Sequence, residues 1–524
     1  MLQSEIFVPL SDFERELFTQ LVPADDFLRQ LKPVIDFERF RPTLAAHYCP
    51  DNGRPPVDPV LMLKLDVLSM HYRWSDRELI RHAQVNMAVR LFLNIGCKTK
   101  LPHHTSMTYF RQRVGSEVIQ EIFHGVLGQA RELGLVRDRL RLKDATHVIA
   151  NIAIPSTIRL VAETRDEVLE AAEPFAPAQV AYEWERAMGI SAVADEDQSD
   201  TERLVRRVAH LRNVLVWADE LPSTAAFRAA AAARQEKLLA ALTLAHKVLN
   251  DREDPKAGDK VLSVHDPDAR CGKHGEFFDG YLLDVTMDAD SELLTGVNVL
   301  PANGNEGGDA VYLLQQEEAA HGNDVEAMSI DGAGFRGPLL RELTDPAGLN
   351  VAVFTPPPAR IPLTVFSPEQ FRRSADGKTL TCPAGQTTKN YERSKNDTGV
   401  KFRFSKKQCG DCALREQCLA NAETKSRTVI KNDYEAEYQA AQAKAQTPEY
   451  AKVRKEHPAI ERKLSELVRR HDLRHARYRG LAKVLRQALL TGITVNLKRL
   501  VKLRTQVPDP AGSGTVRAEV GRTE

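Results

Sequence analysis

A chain of 524 residues with 42% hydrophobic content is too long for one core and apolar enough to bury several. Its 72 basic and 72 acidic residues cancel, and no apolar run reaches the length of a membrane-spanning helix, so no membrane partner is expected. The N-terminal stretch MLQSEIFVPLSDFEREL has no basic flank followed by an apolar run; it does not read as a secretory signal, which points to a cytosolic protein.

The first 135 residues read as all helical. DPVLMLKLDVLSMHYRW, Asp58 to Trp74, has the apolar spacing of a core helix, and Pro55, Pro56 and Pro59 mark its start. SDRELIRHAQVNMAVRLFLNIG follows as one helix, with Ser75 as N-cap, Glu78 completing a capping box and Gly96 closing it. A third helix starts at Thr105 or Ser106 and carries Tyr109, Phe110, Arg111 and Arg113. Short helices with a basic last member fit a DNA-binding domain of helix-turn-helix type, with Arg111 and Arg113 meeting DNA. The same pattern suits a bundle that simply packs against the next domain.

LRLKDATHVIA, Leu140 to Ala150, reads as a buried strand with one carboxylate, Asp144, in its middle. Burying an unpartnered charge is costly, so Asp144 asks for something to bind. Residues 161–255 then turn helical. TAAFRAAAAARQEKLLAALTLAHKVL reads as one long helix, and ADEDQSDTE ahead of it as an exposed acidic linker. This block is an insertion, because β patterning resumes only past Val261. GYLLDVTMD (Gly280 to Asp288) and LLTGVNVLP (Leu293 to Pro301) form a hairpin, followed by the helix DAVYLLQQEEAAHG and the strand AMSID, which ends at Asp331. The helix GPLLRELTD and the strand LNVAVFTPP complete a mixed α/β sheet, antiparallel on one side and parallel on the other. A helical region from Asp433 to Arg504 comes later, and the tail VPDPAGSGTVRAEVGRTE is expected to be disordered.

Asp331, in SIDGAGF, closes a parallel strand, where ligands of open α/β sheets gather; a plain Asp-Gly turn is the rival reading. Together with Asp144 it would occupy adjacent central strands and point to one edge. Paired carboxylates repel, so such a site is stable mainly with a divalent cation, and oxygen ligands select Mg2+ or Mn2+. Two such ions clamp an in-line displacement at phosphorus. A third carboxylate is expected from a helix. Glu461, after Pro458, is the choice, with Glu456 and Glu466 as competitors. Arg462 and Lys463 follow it, and Arg469, Arg470, Arg474, Arg477 and Arg479 open a basic stripe that runs to Arg504 against one acid, Asp472. A local field of this kind draws a polyanion whatever the net charge, though a solvated helix face has the same pattern.

Three of the seven cysteines, Cys49, Cys97 and Cys271, are scattered, while Cys382, Cys409, Cys412 and Cys418 cluster. Four thiolates would close a tetrahedral structural Zn2+ site; reduced, unliganded thiols are the alternative. Nearby Lys401, Arg403, Lys406 and Lys407 would let this segment touch DNA or keep it soluble.

Four stretches carry a resemblance to a known family. They are GRPPVDPVLMLKLDVLSMHYRWSDRELIRHAQVNMAVRLFL with HHTSMTYFRQR, then KDATHVIANIAIPS, then SIDGAGFRGPLLREL, then IERKLSELVRRHDLRHARYRGL with TVNLKRL. In this order the chain resembles the DDE transposases of bacterial insertion sequences. The resemblance implies an α+β multidomain protein: a helical N-terminal DNA-binding domain (1–135) and a ribonuclease H-like catalytic core (136–160 and 256–360). A helical insertion (161–255), a Cys-rich insertion (361–430), a C-terminal helical part carrying the glutamate (431–506) and the tail (507–524) complete it. It implies Asp144, Asp331 and Glu461 as a metal-binding triad, cleavage at the element's ends and strand transfer into target DNA. The implied partner is double-stranded DNA, both terminal inverted repeats and target, bound by a homodimer at the bacterial nucleoid. Asp266 and Asp268, in DPDARCGKHGEFFDGYLLDV, stand outside this triad. Many relatives place Tyr and Arg before the glutamate and Lys after it, where Arg454, His457 and Val468 stand here. Two rival functions remain: a metal-dependent nuclease that cuts without joining, and a DNA-binding relic with an inert triad.

Overall fold

The computed structural model describes residues 8–49, 56–192, 198–254, 256–305, 307–359, 365–394, 398–421 and 423–506. The predicted tail and residues 194–197 of the acidic linker lie outside the described residues.

The N-terminal part is helical, as the periodicity predicts: α1 (Asp12–Leu21), α2 (Phe27–Leu31), α3 (Arg41–Ala45), α4 (Pro59–Tyr72), α5 (Asp76–Val85), α6 (Met87–Leu93), α7 (Thr105–Arg113) and α8 (Ser116–Glu132). In α4 the Asp58 side chain accepts from the Leu61 N–H, and Pro59 fills the first turn, where no donor is missed. The capping box of Ser75 and Glu78 is present. The single helix expected from Ser75 to Gly96 is instead two. Asn86 is extended, its side chain accepts from the Val89 N–H and starts α6 afresh, and α6 ends on a left-handed Asn94 before Gly96 is reached.

The sheet has β1 (Arg141–Ile149) at its centre. Along one edge β1 pairs antiparallel with β3 (Glu276–Asp288), which pairs antiparallel with β4 (Leu294–Pro301). Along the other it pairs parallel with β5 (Ala327–Ile330), which pairs parallel with β6 (Ala352–Phe354). This is the expected mixed sheet. A short strand the sequence reading missed, β2 (Arg270–His274), folds back on the start of β3.

The insertion after β1 comprises α9 (Thr157–Ala172), α10 (Pro177–Ala192), α11 (Asp200–Ala218), α12 (Ala225–Ala229) and α13 (Ala232–Glu253), around a core of its own with Val161, Val168, Leu211, Val214 and Leu238. The one long helix expected from Thr224 breaks at an extended Ala230. Gln235 braces the break by donating to the carbonyls of Phe227 (2.8 Å) and Ala230 (3.2 Å). The end of the expected linker is likewise structured, since Ser199 and Glu202 form the capping box of α11.

Helices α14 (Ala310–His321) and α15 (Gly337–Thr344) are the crossovers that make β5 and β6 parallel. The Cys-rich segment holds two small three-stranded sheets with α16 (Lys406–Gly410) and α17 (Arg415–Cys418), packed around Phe371, Phe402 and Phe404. Helices α18 (Glu435–Lys444), α19 (Pro448–Glu456), α20 (Pro458–His471) and α21 (Leu481–Gln506) end the described chain. No helix among the described residues is long and apolar enough to cross a membrane.

One hydrophobic cluster joins α4, α8, β1, β3, α20 and α21 through residues such as Leu63, Phe123, Leu142, Val285, Leu464 and Ile493. The N-terminal helices therefore share a core with the sheet. Asp66 of α4, fully buried, ties the parts together, accepting from Arg111 of α7 (2.9 Å) and from Arg486 of α21 (2.5 Å).

Candidate active site

Side chains alternate along β1, so Arg141 and Lys143 point to one face and Leu142, Asp144 and Thr146 to the other. On the first face Arg141 is fully buried between Glu317 (2.6 Å) and Asp288 (2.9 Å), with Asp138 at 2.8 Å. These carboxylates outweigh the burial that opposes its charge and hold its pKa above the ordinary value. Lys143, also buried, pairs with Asp284 and lies 3.7 Å from Asp309. Burial raises the Asp284 pKa well above the ordinary range, and Asp309 pushes it the same way against Lys143.

Asp144 lies on the other face. Lys143 is paired with Ile330 across the parallel β1–β5 ladder, so one step further along Asp144 comes level with Asp331, on the same side of the sheet. Beyond that point His475 takes over the edge of β1. The Ile149 N–H donates to the Arg474 carbonyl (2.8 Å), and the Ala476 N–H donates to the Ile149 carbonyl (2.9 Å). The site opens between these two pairings. Burial raises the pKa of Asp144, and Asp331 and Glu461 push it the same way against the Ala145 N–H and Lys143, to about 6.

Asp331 caps a short turn, its carboxylate accepting from the Ala333 N–H (3.1 Å). Thr355 Oγ1 donates to its carbonyl (2.7 Å). The Asp-Gly turn and the strand-end acid are thus one feature. A Cβ on Gly334 would come within 2.7 Å of Ile330, so a side chain there would push the turn off the strand.

Glu461 is exposed in the first turn of α20, whose Ile460, Leu464 and Leu467 pack into the core against β1. Among the described residues its carboxylate makes no ion pair. Its two competitors are engaged elsewhere: Glu456 with Arg139 (2.7 Å), and Glu466 with Lys498 (2.9 Å) and Lys463 (3.3 Å). Among the described residues no three or more His, Cys, Asp or Glu side chains stand close enough to hold a metal ion. The three acids are electrostatic neighbours rather than a closed cage.

Two residues not singled out for the site lie against it. Arg454 donates to the Ile330 carbonyl (3.1 Å) and to Ser329 Oγ (3.2 Å), just before Asp331. His457 Nδ1 shares a 3.0 Å hydrogen bond with the same hydroxyl, and burial, reinforced by Arg454, pushes its pKa down to about 4. Their sequence signal was position alone, a short step ahead of Glu461.

The expected DNA contacts divide. Arg462, Arg469 and Arg470 are exposed on α20, and Arg113 is exposed at the end of α7, its guanidinium 4.4 Å from the Tyr48 ring. Arg479 is exposed, its Nε on the Asn151 carbonyl (2.9 Å), and half-buried Arg474 donates to the His147 carbonyl (2.6 Å); Arg477 is half-buried. Two expectations need correcting. Arg111 is held between Asp66 and Asp76 (2.8 Å) inside the helical part, and Lys463 is buried against Glu466. A helical stripe in sequence does not separate its inner from its outer cations.

Asp266 and Asp268 prove structural. Asp266 accepts from the Gly480 N–H (3.0 Å) and Tyr281 hydroxyl, and Asp268 from the Leu481 N–H (2.8 Å), so both satisfy the open N-terminus of α21. Cys382, Cys409, Cys412 and Cys418 converge on one small pocket with Phe371 and Phe404, half-buried and reduced. Burial raises the Cys418 thiol pKa, and the other three sulfurs push it the same way.

Compared with known families, residues 16–113 match Transposase domain (DUF772), and residues 381–501 match Transposase DDE domain. The second match includes the four clustered cysteines and Glu461; Asp144 and Asp331 fall between the two. No curated protein and no solved structure gives a significant match.

Proposed function

Since the chain belongs to the DDE transposases of insertion-sequence type, we propose that it cuts DNA at the ends of an insertion sequence and joins the freed ends to target DNA. The reading rests above all on Asp144 and Asp331, which share a level and a face on neighbouring parallel strands beside the helix that carries Glu461. The strand order, β4-β3-β1-β5-β6 with antiparallel pairs on one side of β1 and parallel pairs on the other, supports a ribonuclease H-like assignment.

The donor set is all oxygen, and burial, with Asp331 and Glu461 pushing the same way, raises the Asp144 pKa to about 6. Held by Asp144, Asp331 and Glu461, a divalent ion, Mg2+ or Mn2+, would offset their repulsion and the charge of the phosphodiester. The protein's own residues do the positioning. The Ala145 N–H fixes one oxygen of Asp144 (2.8 Å), and Arg454 braces the end of β5. Arg462, Arg469 and Arg470 offer cations to the DNA backbone on the same helix as Glu461, which makes binding salt-dependent. The helical N-terminal part would read the terminal repeats, and a homodimer would hold two ends together. In the Cys-rich segment the four thiols that line one pocket would have to draw closer together to hold structural Zn2+, and their chemistry is that of such a site. Metal analysis should find about one zinc per chain, lost on Cys409→Ser with Cys412→Ser.

The decisive experiment uses labelled element-end DNA with wild type and Asp144→Asn. The variant should bind as wild type does while cleavage falls by roughly three orders of magnitude. Undiminished cleavage would overturn the catalytic reading. Joined product from wild type separates a transposase from a nuclease that only cuts.

A further inference from the structure

β3 outruns β1. Its residues Glu276–Asp279 lie beyond Ile149, the last residue of β1, and pair with β2 to form a hairpin around left-handed Gly275. Phe277, near the tip, is 77% exposed, more than any other large hydrophobic side chain described. Lys273 stands directly opposite, its Nζ 5.5 Å from the centre of the Phe277 ring. The neighbouring Phe278 turns to the other face and packs on His147, with ring centres 4.9 Å apart. One phenyl anchors the hairpin, and the fold makes no use of the other.

Its direction matters. Asp144 is paired with Val285, and Leu283, Tyr281, Asp279 and Phe277 follow by twos, so Phe277 and Asp144 share a face of the sheet. Eight residues of strand separate the two levels, about 26 Å. Arg474 and Arg479, fixed to the carbonyls of His147 and Asn151, line the way. Two acids are near the tip: Glu276 on the reverse face, and Asp279 opposite Cys271.

We infer that the β2–β3 tip grips the DNA duplex roughly 8 base pairs from the scissile phosphate, with Lys273 on the backbone and Phe277 as an apolar wedge against a base step. The inference rests on the reading of Asp144 as catalytic. An exposed aromatic beside a cation, at the end of a basic track, matches duplex DNA in both charge and apolar chemistry.

Phe277→Ser, Phe277→Trp and Lys273→Ala in the full chain provide the test, and removing an exposed side chain leaves the fold intact. Element-end duplexes would be trimmed to about 5 or extended to about 15 base pairs on either side of the cut. On extended DNA Phe277→Ser should bind and cut roughly tenfold less well than wild type, with Phe277→Trp close to wild type. On DNA trimmed on the contacted side the two should be equal. Equal binding and cleavage at every length, with wild type active, overturns the inference and leaves the catalytic reading standing. A variant altered in oligomeric state but not in DNA binding assigns the tip to a second copy of the chain and overturns it too. If wild type cuts nothing, both fall together.

Discussion

The two faces of β1 treat buried charge in opposite ways. On one, Arg141 and Lys143 are fully buried, each among carboxylates from β3 or α14. On the other, Asp144 has an apolar core to one side, and two acids, Asp331 and Glu461, act on it against the charge of Lys143. Opposite charges gathered in the interior satisfy one another and build architecture. Acids gathered at a strand end raise one another's pKa, a repulsion that a bound divalent ion would relieve in the proposed function. Adjacent residues of one strand thus separate a scaffold from the proposed site.

Breaking the paired face should cost most. Arg141→Met leaves Asp288 buried without its cation and Glu317 with Arg131 alone, and a loss of about 3–5 kcal/mol is expected in denaturant unfolding, or failure to accumulate folded protein. A double change, Arg141→Met with Glu317→Gln, should recover part of it. If Arg141→Met alone unfolds like wild type, the network is not what holds α14 to the sheet.

On the opposite face, removing charge should stabilise. In metal-free protein Asp144 has a pKa of about 6 against an ordinary 3.8, so the folded state holds the proton more tightly than the unfolded chain. Stability therefore falls as pH rises from about 4 through 6, and the penalty stays above that range. Asp144→Asn should accordingly melt higher than wild type at pH 7.5 in chelator, by roughly 1–2 kcal/mol, and the advantage should vanish near pH 4. Added Mg2+ should narrow the gap by stabilising wild type alone. A variant less stable than wild type at pH 7.5 would mean that Asp144 is a structural carboxylate after all.

Much of this contrast was legible in sequence, and the reason is local. The β run around Asp144, the strand that ends at Asp331 and the hairpin from Gly280 to Pro301 each announce themselves in apolar patterning, and their pairing follows. What stayed hidden depends on partners distant in the chain. Nothing in the stripe from Arg462 to Arg479 separates Lys463, buried against Glu466, from exposed Arg462 beside it. Arg111 looks like a DNA contact until Asp66 and Asp76 are seen on either side of it. The helix breaks at Asn86 and Ala230 turn on single capping contacts that helix propensity does not register. Glu461 could not be told from Glu456 or Glu466 by pattern, because what distinguishes them is which carboxylates already have a cation.

That distinction gives a smaller test. Glu456 and Glu466 sit in partly exposed ion pairs, so Glu456→Gln should cost at most about 1 kcal/mol and leave cleavage within roughly twofold of wild type. Glu461→Gln should leave stability unchanged and abolish cleavage. Reversed results would move the third carboxylate to α19.

The smallest effect on the fold is expected at Arg462. It is 69% exposed, and among the described residues its one ion pair is with Glu292 at 3.9 Å, too loose and too wet to stabilise the chain measurably. Arg462→Ala should melt within about 0.5 kcal/mol of wild type. Its position one residue after Glu461 nevertheless puts its charge beside DNA in the proposed function. The slope of log binding constant against log salt should therefore become shallower by about one unit, while Lys463→Ala, which alters a buried cation, leaves the slope alone and lowers stability. Equal slopes for wild type and Arg462→Ala would take α20 off the DNA, and with it the argument that its glutamate faces a phosphodiester.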